Sequence, residues 1–348
     1  MSGFQRVAPE RHDDLDGVAS PAETRSLVGH EAARAELVLA ARSQRLHHAW
    51  LLQGPLGIGK ATLAFDFARA LLSASRDGDL PETVPESVAR QVEQGGHPGL
   101  VHIARPAAER GGGFRTQITV EEIRRLTHFF QTTAGGRWRI AIVDPADDMN
   151  RSAANALLKM LEEPPPRSLF LLTNHQPGRL LPTIRSRCRV LRLGALPEAE
   201  IETILAGSVP DASAADRKAA ASRASGSARR ALLMLLGGGL ELSGEAERLY
   251  AAPPAWGAIQ KLGDQLAMKG REAAFDLVGE ELFRLLSRDA EARQAAGRAA
   301  EAAELSAYWS SEQARWREGL AYNLDRKQLL VTFFHGLARL RERQDRAA

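Results

Sequence analysis

The feature that most constrains the fold is a glycine-rich turn between an apolar run and a helical segment. Gly54-Pro-Leu-Gly57-Ile-Gly59-Lys60 follows the apolar run Trp50–Gln53 and precedes a helix predicted over Ala61–Leu72. Glycines let backbone N–H groups point into such a turn, and a lysine at the helix N-terminus adds positive charge. The order of strand, loop, lysine and helix predicts a phosphate-binding loop. The alternative is a plain glycine-rich turn with an incidental lysine.

Apolar strands alternate with amphipathic helices through the first half of the chain. The strands read as near-continuous apolar runs, which is typical of parallel strands buried on both faces. The sequence therefore predicts an α/β fold with a five-stranded parallel sheet and helices on both faces. The predicted strands are Trp50–Gln53, Leu100–Ile103, Arg139–Val143, Leu169–Thr173 and Arg189–Leu193. Residues 74–113 are polar and rich in glycine and proline apart from one strand, and are predicted to be surface loops.

The strand pattern ends after Leu193, and helical periodicity continues to the end of the chain. Three short helices are predicted between Leu196 and Gly239, the last opening near Gly226. We therefore predict three domains: residues 1–193 as the α/β domain, 194–240 as a small helical lid, and 241–348 as an all-helical C-terminal domain. The last helix carries an apolar stripe that predicts an oligomerisation surface, and the alternative is a self-contained core. The stripe consists of Leu329, Leu330, Phe333, Phe334 and Leu337.

Composition excludes several classes of protein. A single cysteine, Cys188, excludes an internal disulfide and a four-cysteine zinc site, so no zinc is expected. No apolar run approaches the ~20 residues of a membrane helix, and the N-terminus lacks the apolar region of a signal peptide. A cytoplasmic protein is expected. The net charge of +3 is mildly basic, without the concentrated patch of a dedicated DNA-binding domain.

Two positions depart from the pattern of a hydrolysing ATPase. The residue after the loop lysine is normally Ser or Thr, whose hydroxyl ligates Mg²⁺, and here it is Ala61. Thr62 lies one position later, about 100° further around the helix, and should not replace it. Asp144 ends an apolar strand, where a carboxylate would face the loop, or would simply cap a turn. Pro145 follows it in place of a glutamate. No side chain at this position can therefore act as the general base, a contribution typically worth about 10²–10⁴ in rate.

Five segments resemble those of a known family. Asp144–Met149 resembles the Asp-Glu-Ala-Asp box of the AAA+ clamp-loader ATPases of bacterial DNA polymerase III, with its glutamate replaced. Asn155–Pro165 resembles the run that follows this box in the family, and Ile184–Cys188 resembles the family's Ser-Arg-Cys motif. Leu27–Glu31 and Leu46–Leu51 resemble the stretches before the phosphate loop in the δ′ subunits of that family. The resemblance covers residues 25 to 240, and the later residues resemble the family's helical collar only in length and helicity.

The resemblance implies roles for individual residues. Arg187, in the Ser-Arg-Cys position, would reach the nucleotide of a neighbouring subunit as an arginine finger, as its planar, permanently charged fork suits it to do. Asn174 would be the first nucleotide sensor, and Arg229, rather than Arg230, the second. The alternative for Arg187 is a solvated loop arginine, for Asn174 a turn cap, and for Arg229 an exposed helical arginine. The implied nucleotide-binding set is Gly54, Gly57, Gly59, Lys60, Ala61, Thr62, Asp144, Asn174 and Arg229.

Ala61 and Pro145 separate two hypotheses within the family. A δ′-type accessory subunit, with ATP as an uncertain ligand and little or no ATPase activity, accommodates both substitutions, whereas a γ/τ-type motor subunit should keep Ser or Thr and Glu at these positions. The implied partners are γ/τ-type and δ-type subunits in a hetero-pentameric ring, with the sliding clamp and primer–template DNA reached through the complex, and no membrane. An independent kinase or DNA-repair ATPase is disfavoured, because the sequence contains no motif for a substrate-binding catalytic base or for nucleotide modification.

Overall fold

The computed structural model describes residues 6–75, 79–108, 113–131, 137–236, 238–322 and 324–347. The chain divides into two compact units, residues 1–229 and 230–348. The five strands are β1 (Ala49–Gln53), β2 (Leu100–Ile103), β3 (Arg139–Val143), β4 (Ser168–Asn174) and β5 (Arg189–Arg192). The helices of the first unit are α1 (Glu31–Arg42), α2 (Lys60–Leu72), α3 (Glu86–Glu93), α4 (Val120–Gln131), α5 (Arg151–Glu162), α6 (Pro182–Arg185), α7 (Glu198–Ser208) and α8 (Ala214–Arg223).

The strands form one parallel sheet in the order β2-β3-β4-β1-β5. Successive side chains of a strand point to opposite faces, so each strand contributes to two apolar layers. On one face, Trp50 and Leu52 pack with α1 and α2; on the other, Leu51 packs with α4 and α5. The predicted α/β fold and all five strands are confirmed, with ends shifted by at most one residue.

The register of the sheet determines which residues meet at its carboxyl edge. Gln53 at the end of β1 lies beside Asn174 at the end of β4, and Val143 of β3 lies beside Leu172. Parallel strands end on the same edge, where α/β proteins bind ligands. The glycine-rich loop, Asp144 and Asn174 therefore emerge next to one another.

One prediction for the first unit is wrong. The segment expected to form loops between residues 74 and 113 contains the eight-residue helix α3. Ala89, Val92 and Glu93 are buried on it, and only two of these are apolar, so the helix is too short to repeat its apolar positions over several turns. Arg25 links α3 to the N-terminal segment through Glu86 and Glu93.

The second unit is helical, as predicted. It contains most of α9 (Ala228–Leu235), followed by α10 (Gly239–Ala251), α11 (Trp256–Ala267), α12 (Glu272–Ala295), α13 (Ala299–Ala321) and α14 (Arg326–Ala347). The apolar stripe of the last helix lies inside this unit: Leu329, Leu330, Phe333, Phe334 and Leu337 are all buried in its core. The stripe therefore gives no support to an oligomerisation surface, because its area is covered by the unit's own helices.

The two compact units do not follow the three predicted segments. Helices α7 and α8 of the predicted lid belong to the same unit as the sheet, and the division falls within α9. The separate lid domain stays a prediction. In the described parts of the chain, no helix is both long enough and apolar enough to cross a membrane.

Candidate functional site: the phosphate loop and its surroundings

The glycine-rich loop has the backbone that its sequence predicts. Gly57 and Gly59 have positive φ angles of 76° and 99°, a region that glycine enters without a Cβ penalty. A Cβ at Gly57 would lie 2.5 Å from Ser227 Oγ, so the loop approaches the start of α9 closely. Gly59 is the N-cap of α2, and the ring Nε2 of His30 lies 2.7 Å from Ile58 O beside it. The loop is thus held on both sides by its own subunit.

Lys60, the loop lysine, is bonded to the loop itself. Its Nζ donates to the carbonyl oxygens of Gly54 at 2.8 Å and Pro55 at 2.5 Å, and the residue is 7% exposed. Burial lowers its pKa to about 8, although the nearby carboxylates of Asp144 and Asp147 act in the opposite direction. The ammonium that would contact a phosphate therefore already has two acceptors in the protein.

Asp144 lies at the end of β3, opposite the loop. Its Oδ1 accepts a hydrogen bond from Thr173 Oγ1 on the neighbouring strand β4. Burial raises the pKa of Asp144 to about 7, and the negative charge of Asp13 adds to this effect, while Thr173 and Lys60 oppose it. A carboxyl group of this kind is a poorer cation ligand near neutral pH than an ordinary aspartate, because part of the population is protonated.

The sensor candidate Asn174 is fully buried at the end of β4. Its backbone carbonyl accepts from Gly54 N at 3.1 Å, which ties β4 to the beginning of the loop. Its side-chain Nδ2 donates to Gln176 O at 3.4 Å, while the side-chain oxygen Oδ1 has no hydrogen-bond partner among the described residues. The structure thus brings Asn174 to the loop, where the resemblance had placed it.

The second sensor candidate, Arg229, also lies at the loop. Its backbone N–H donates to Gly57 O at 3.1 Å, and its guanidinium Nη1 donates to the backbone carbonyl of Asp13. Asp13 belongs to an N-terminal segment that the sequence did not mark as part of the site. This segment also approaches Asp144: the charge of Asp13 acts to raise the pKa of Asp144, and the charge of Asp144 acts to raise the pKa of Arg11.

Arg187 does not join this group of residues. It lies two residues before β5 begins, so it is at the amino edge of the parallel sheet, whereas the loop is at the carboxyl edge. Its Nη1 donates to Thr183 O at 3.0 Å, and its Nη2 lies 2.6 Å from Glu162 Oε1 at the end of α5. Its side chain is 35% exposed. An arginine at this edge cannot serve the loop of its own subunit.

Comparison with known proteins finds similar proteins for part of the chain. Residues 29–197 match the family model described as "DNA polymerase III, delta subunit". The δ′ subunit of DNA polymerase III from Pseudomonas aeruginosa is 41% identical over 152 residues, which are 43% of this chain and 44% of that protein. Residues 29–197 are therefore similar to subunits of DNA polymerase III. The matched segment runs from the stretch before the loop to the residues just after β5, and includes Arg187.

Other curated proteins are similar as well. The γ/τ subunit of Mycobacterium bovis is 34% identical over 187 residues, covering 53% of this chain and 31% of that protein. The chain therefore spans less than half the length of these two curated relatives. Among solved structures, the RuvB branch-migration motor of Thermotoga maritima is 18% identical with a TM-score of 0.41, covering 72% of this chain and 75% of the other.

The segment Asp144–Met149 after β3 contains two further aspartates whose roles the sequence did not reveal. Asp147 accepts from the backbone N–H groups of His175 and Gln176 at 3.3 and 3.1 Å, and its Oδ2 lies 3.1 Å from His175 Nδ1. Asp148 pairs with Arg105 at 2.6 Å. Both carboxylates join the ends of neighbouring strands, so they hold the sheet edge in shape. The available sequence signal was a pair of adjacent aspartates that begins four positions after β3 ends at Val143.

The residues present do not fit the Mg²⁺ that hydrolysing members of such ATPase families use. Ala61 has no hydroxyl to offer a cation, and the neighbouring Thr62 is half-buried one position further along α2. Pro145 has no side-chain acceptor, and burial raises the pKa of Asp144. In the described parts of the chain, no three His, Cys, Asp or Glu side chains are grouped so that they could hold a metal ion.

Proposed function

We propose that this chain is the δ′ subunit of a bacterial DNA polymerase III clamp loader, and that it hydrolyses little or no ATP. In this role it works with γ/τ-type and δ-type subunits in a hetero-pentameric ring. It reaches the sliding clamp and primer–template DNA through that ring, which loads the clamp during replication. The match of residues 29–197 to the family model and the similarity to a δ′ subunit support the assignment.

One observation carries the accessory role: both cations that would hold nucleotide phosphates are bonded to the subunit's own backbone. Lys60 donates to two carbonyls of the loop, and Arg229 donates to the carbonyl of Asp13. These bonds occupy two of the three donors of the Lys60 ammonium and one donor of the Arg229 guanidinium, so fewer donors remain for phosphate oxygens. Even a bound nucleotide would lack the cation ligand and the base that Ala61 and Pro145 fail to supply. ATP is therefore at most a weakly held ligand of this site.

The position of Arg187 supports a role in a neighbour's site. It lies at the sheet edge opposite its own phosphate loop, and about a third of its side chain remains open to solvent. A guanidinium presents five N–H donors in a planar fork, which matches phosphate oxygens. In this proposal, Arg187 contacts the nucleotide of an adjacent motor subunit and stabilises charge that develops during phosphoryl transfer.

The test is Arg187→Ala in a ring reconstituted with the motor and δ-type subunits. An arginine finger can be worth about 10³–10⁵ in rate, and a ring with several sites shows a smaller loss. We expect full assembly, an unchanged melting temperature and reduced clamp-stimulated ATP turnover. Arg187→Lys should be nearly as defective, because an ammonium lacks the planar fork. Normal turnover by the Ala variant, or failure of the wild-type chain to join the ring, would contradict the proposal.

The second candidate is a motor subunit of the same complex. The 34% identity to γ/τ subunits favours it, since that match is longer than the match to the δ′ relative. Steady-state ATPase of the purified chain separates the two. Turnover in the ordinary enzyme range of about 1–10³ per second would establish the motor role, and background turnover supports δ′.

A further inference from the structure

The guanidinium of Arg187 is fixed at two points on its own subunit. One is the carbonyl of Thr183 at 3.0 Å, and the other is the carboxylate of Glu162 at 2.6 Å. These acceptors come from different elements, because Glu162 is the last residue of α5 and Thr183 lies in α6. The two contacts restrict the side chain in a way that neither element could alone.

The backbone that carries Arg187 is restricted too. Its N–H donates to Ile184 O at 3.1 Å, and the next residue, Cys188, is buried against the sheet. The negative end of the α5 dipole lies where Glu162 ends that helix, which favours a cation in the same place. Both the backbone and the guanidinium of Arg187 are therefore held in place before any partner binds.

We propose that Glu162 is a positioning residue for Arg187: it orients the guanidinium toward the phosphates of a neighbouring subunit's nucleotide. This inference rests on the proposed function. A long arginine side chain loses rotamer freedom when it binds a phosphate, and contacts made in advance reduce that loss. Glu162 and Thr183 each use one N–H of the five on the guanidinium, so three donors remain for phosphate oxygens.

The half-exposed position of Glu162 sets the size of the effect. Its side chain is 49% exposed, and ion pairs open to solvent contribute little energy. Loss of the carboxylate should therefore lower turnover by about two- to fivefold, which is far less than loss of Arg187 itself. The loss should appear in kcat with little change in KM for ATP, because an arginine finger acts mainly in the transition state.

The experiment uses the reconstituted ring and five variants of this chain. Glu162→Ala removes the acceptor, and Glu162→Gln keeps a side-chain oxygen that can accept the same hydrogen bond. Glu163→Ala is the matched control, because it removes the same charge from the adjacent exposed position. Arg187→Ala is measured alone and combined with Glu162→Ala. We expect a reduced kcat for Glu162→Ala, near-normal values for Glu162→Gln and Glu163→Ala, and a double variant equal to Arg187→Ala.

Three outcomes would overturn the role of Glu162. The first is unchanged or increased turnover with Glu162→Ala, the increase meaning that the carboxylate holds the arginine back from the neighbour. The second is an equal loss with Glu163→Ala, which would indicate a general charge effect. The third is a further loss from Glu162→Ala when Arg187 is already absent. Failure of the proposed function is distinct, because Arg187→Ala would then itself leave turnover normal.

Discussion

Replacing the loop lysine should make the protein more stable, which is unusual for a residue in a phosphate loop. Lys60 is charged at pH 7, 7% exposed, and bonded only to backbone carbonyls in its own loop among the contacts described above. Lys60→Met keeps an unbranched chain of similar length and removes the charge. We expect the free energy of unfolding of the first unit to rise at pH 7.

The pKa of Lys60 gives the magnitude. Burial lowers it from 10.5 to about 8, and this value already includes the favourable charges of Asp144 and Asp147. Each pKa unit is worth about 1.4 kcal/mol, so the buried charge costs the fold roughly 3 kcal/mol. The variant loses two hydrogen bonds of about 0.5–1.5 kcal/mol each. The net gain should be about 0–2 kcal/mol.

The dependence on pH identifies the cause. Below pH 8, Lys60 is protonated in both the folded and the unfolded chain, so the advantage of the variant is constant there. Between pH 8 and 10.5 the folded chain has released the proton while the unfolded chain retains it. The wild type therefore gains stability as pH rises, and the difference between the two proteins shrinks. Above pH 10.5 the charge no longer contributes to the difference.

Hydrogen exchange under increasing denaturant, read by mass spectrometry on peptides from β1 and β4, measures the first unit separately from the helical unit. Lys218→Met on the exposed surface of α8 is the matched control and should change stability by less than about 0.5 kcal/mol. A variant less stable than wild type at pH 7, or an advantage that does not change between pH 8 and 10.5, would refute the reasoning.

The remaining predictions concern catalysis, local stability and assembly. Ala61→Ser combined with Pro145→Glu should raise ATP turnover above the background of the wild type in a steady-state assay. The reason is that a cation ligand and a water-orienting carboxylate are both restored. No change in turnover would mean that the bonds of Lys60 to its loop still exclude productive binding. Asn150→Ala should cost about 1 kcal/mol in denaturant unfolding, because its side chain caps α5 by accepting from a backbone N–H at 2.8 Å, while Asn150→Asp should be near neutral. Removing residues 239–348 should abolish co-purification with the ring subunits while the first unit keeps its circular dichroism; undiminished assembly would exclude the helical unit as the oligomerisation surface.

Sequence patterns predicted the sheet well because its signals are local. Arg139–Val143 is a run of five consecutive buried residues, and its predicted bounds match β3. Helix α3 was missed because an eight-residue helix with a short apolar face resembles a polar loop. The apolar stripe of α14 was real, but sequence periodicity gives only the direction of a face. It does not tell whether the covering partner is another subunit or, as here, the helices of the same unit.

The candidate site was predictable in its members but not in its contacts. The loop, Asp144 and Asn174 could be placed together because they follow neighbouring parallel strands. The contact between Arg229 and Asp13 joins residues 216 positions apart, and no motif marks the N-terminal segment as a partner. The pairing of Arg187 with Glu162 was missed for a related reason. Each residue lies in a recognisable motif, but only the fold shows that α5 and the end of α6 meet there.

The glycines of the loop are weaker evidence for nucleotide binding than their motif suggests. A side chain at Gly57 would meet both Ser227 Oγ and Arg229 Cβ, at 2.5 and 2.6 Å, so packing against α9 requires glycine whether or not a phosphate is bound. Gly59 must likewise cap α2 with a φ of 99°. Lys60 has no such structural requirement, and its buried charge costs stability. The evidence about nucleotide therefore comes from Lys60 and Ala61. Lys60 favours phosphate binding, whereas Ala61 lacks the hydroxyl that would bind Mg²⁺.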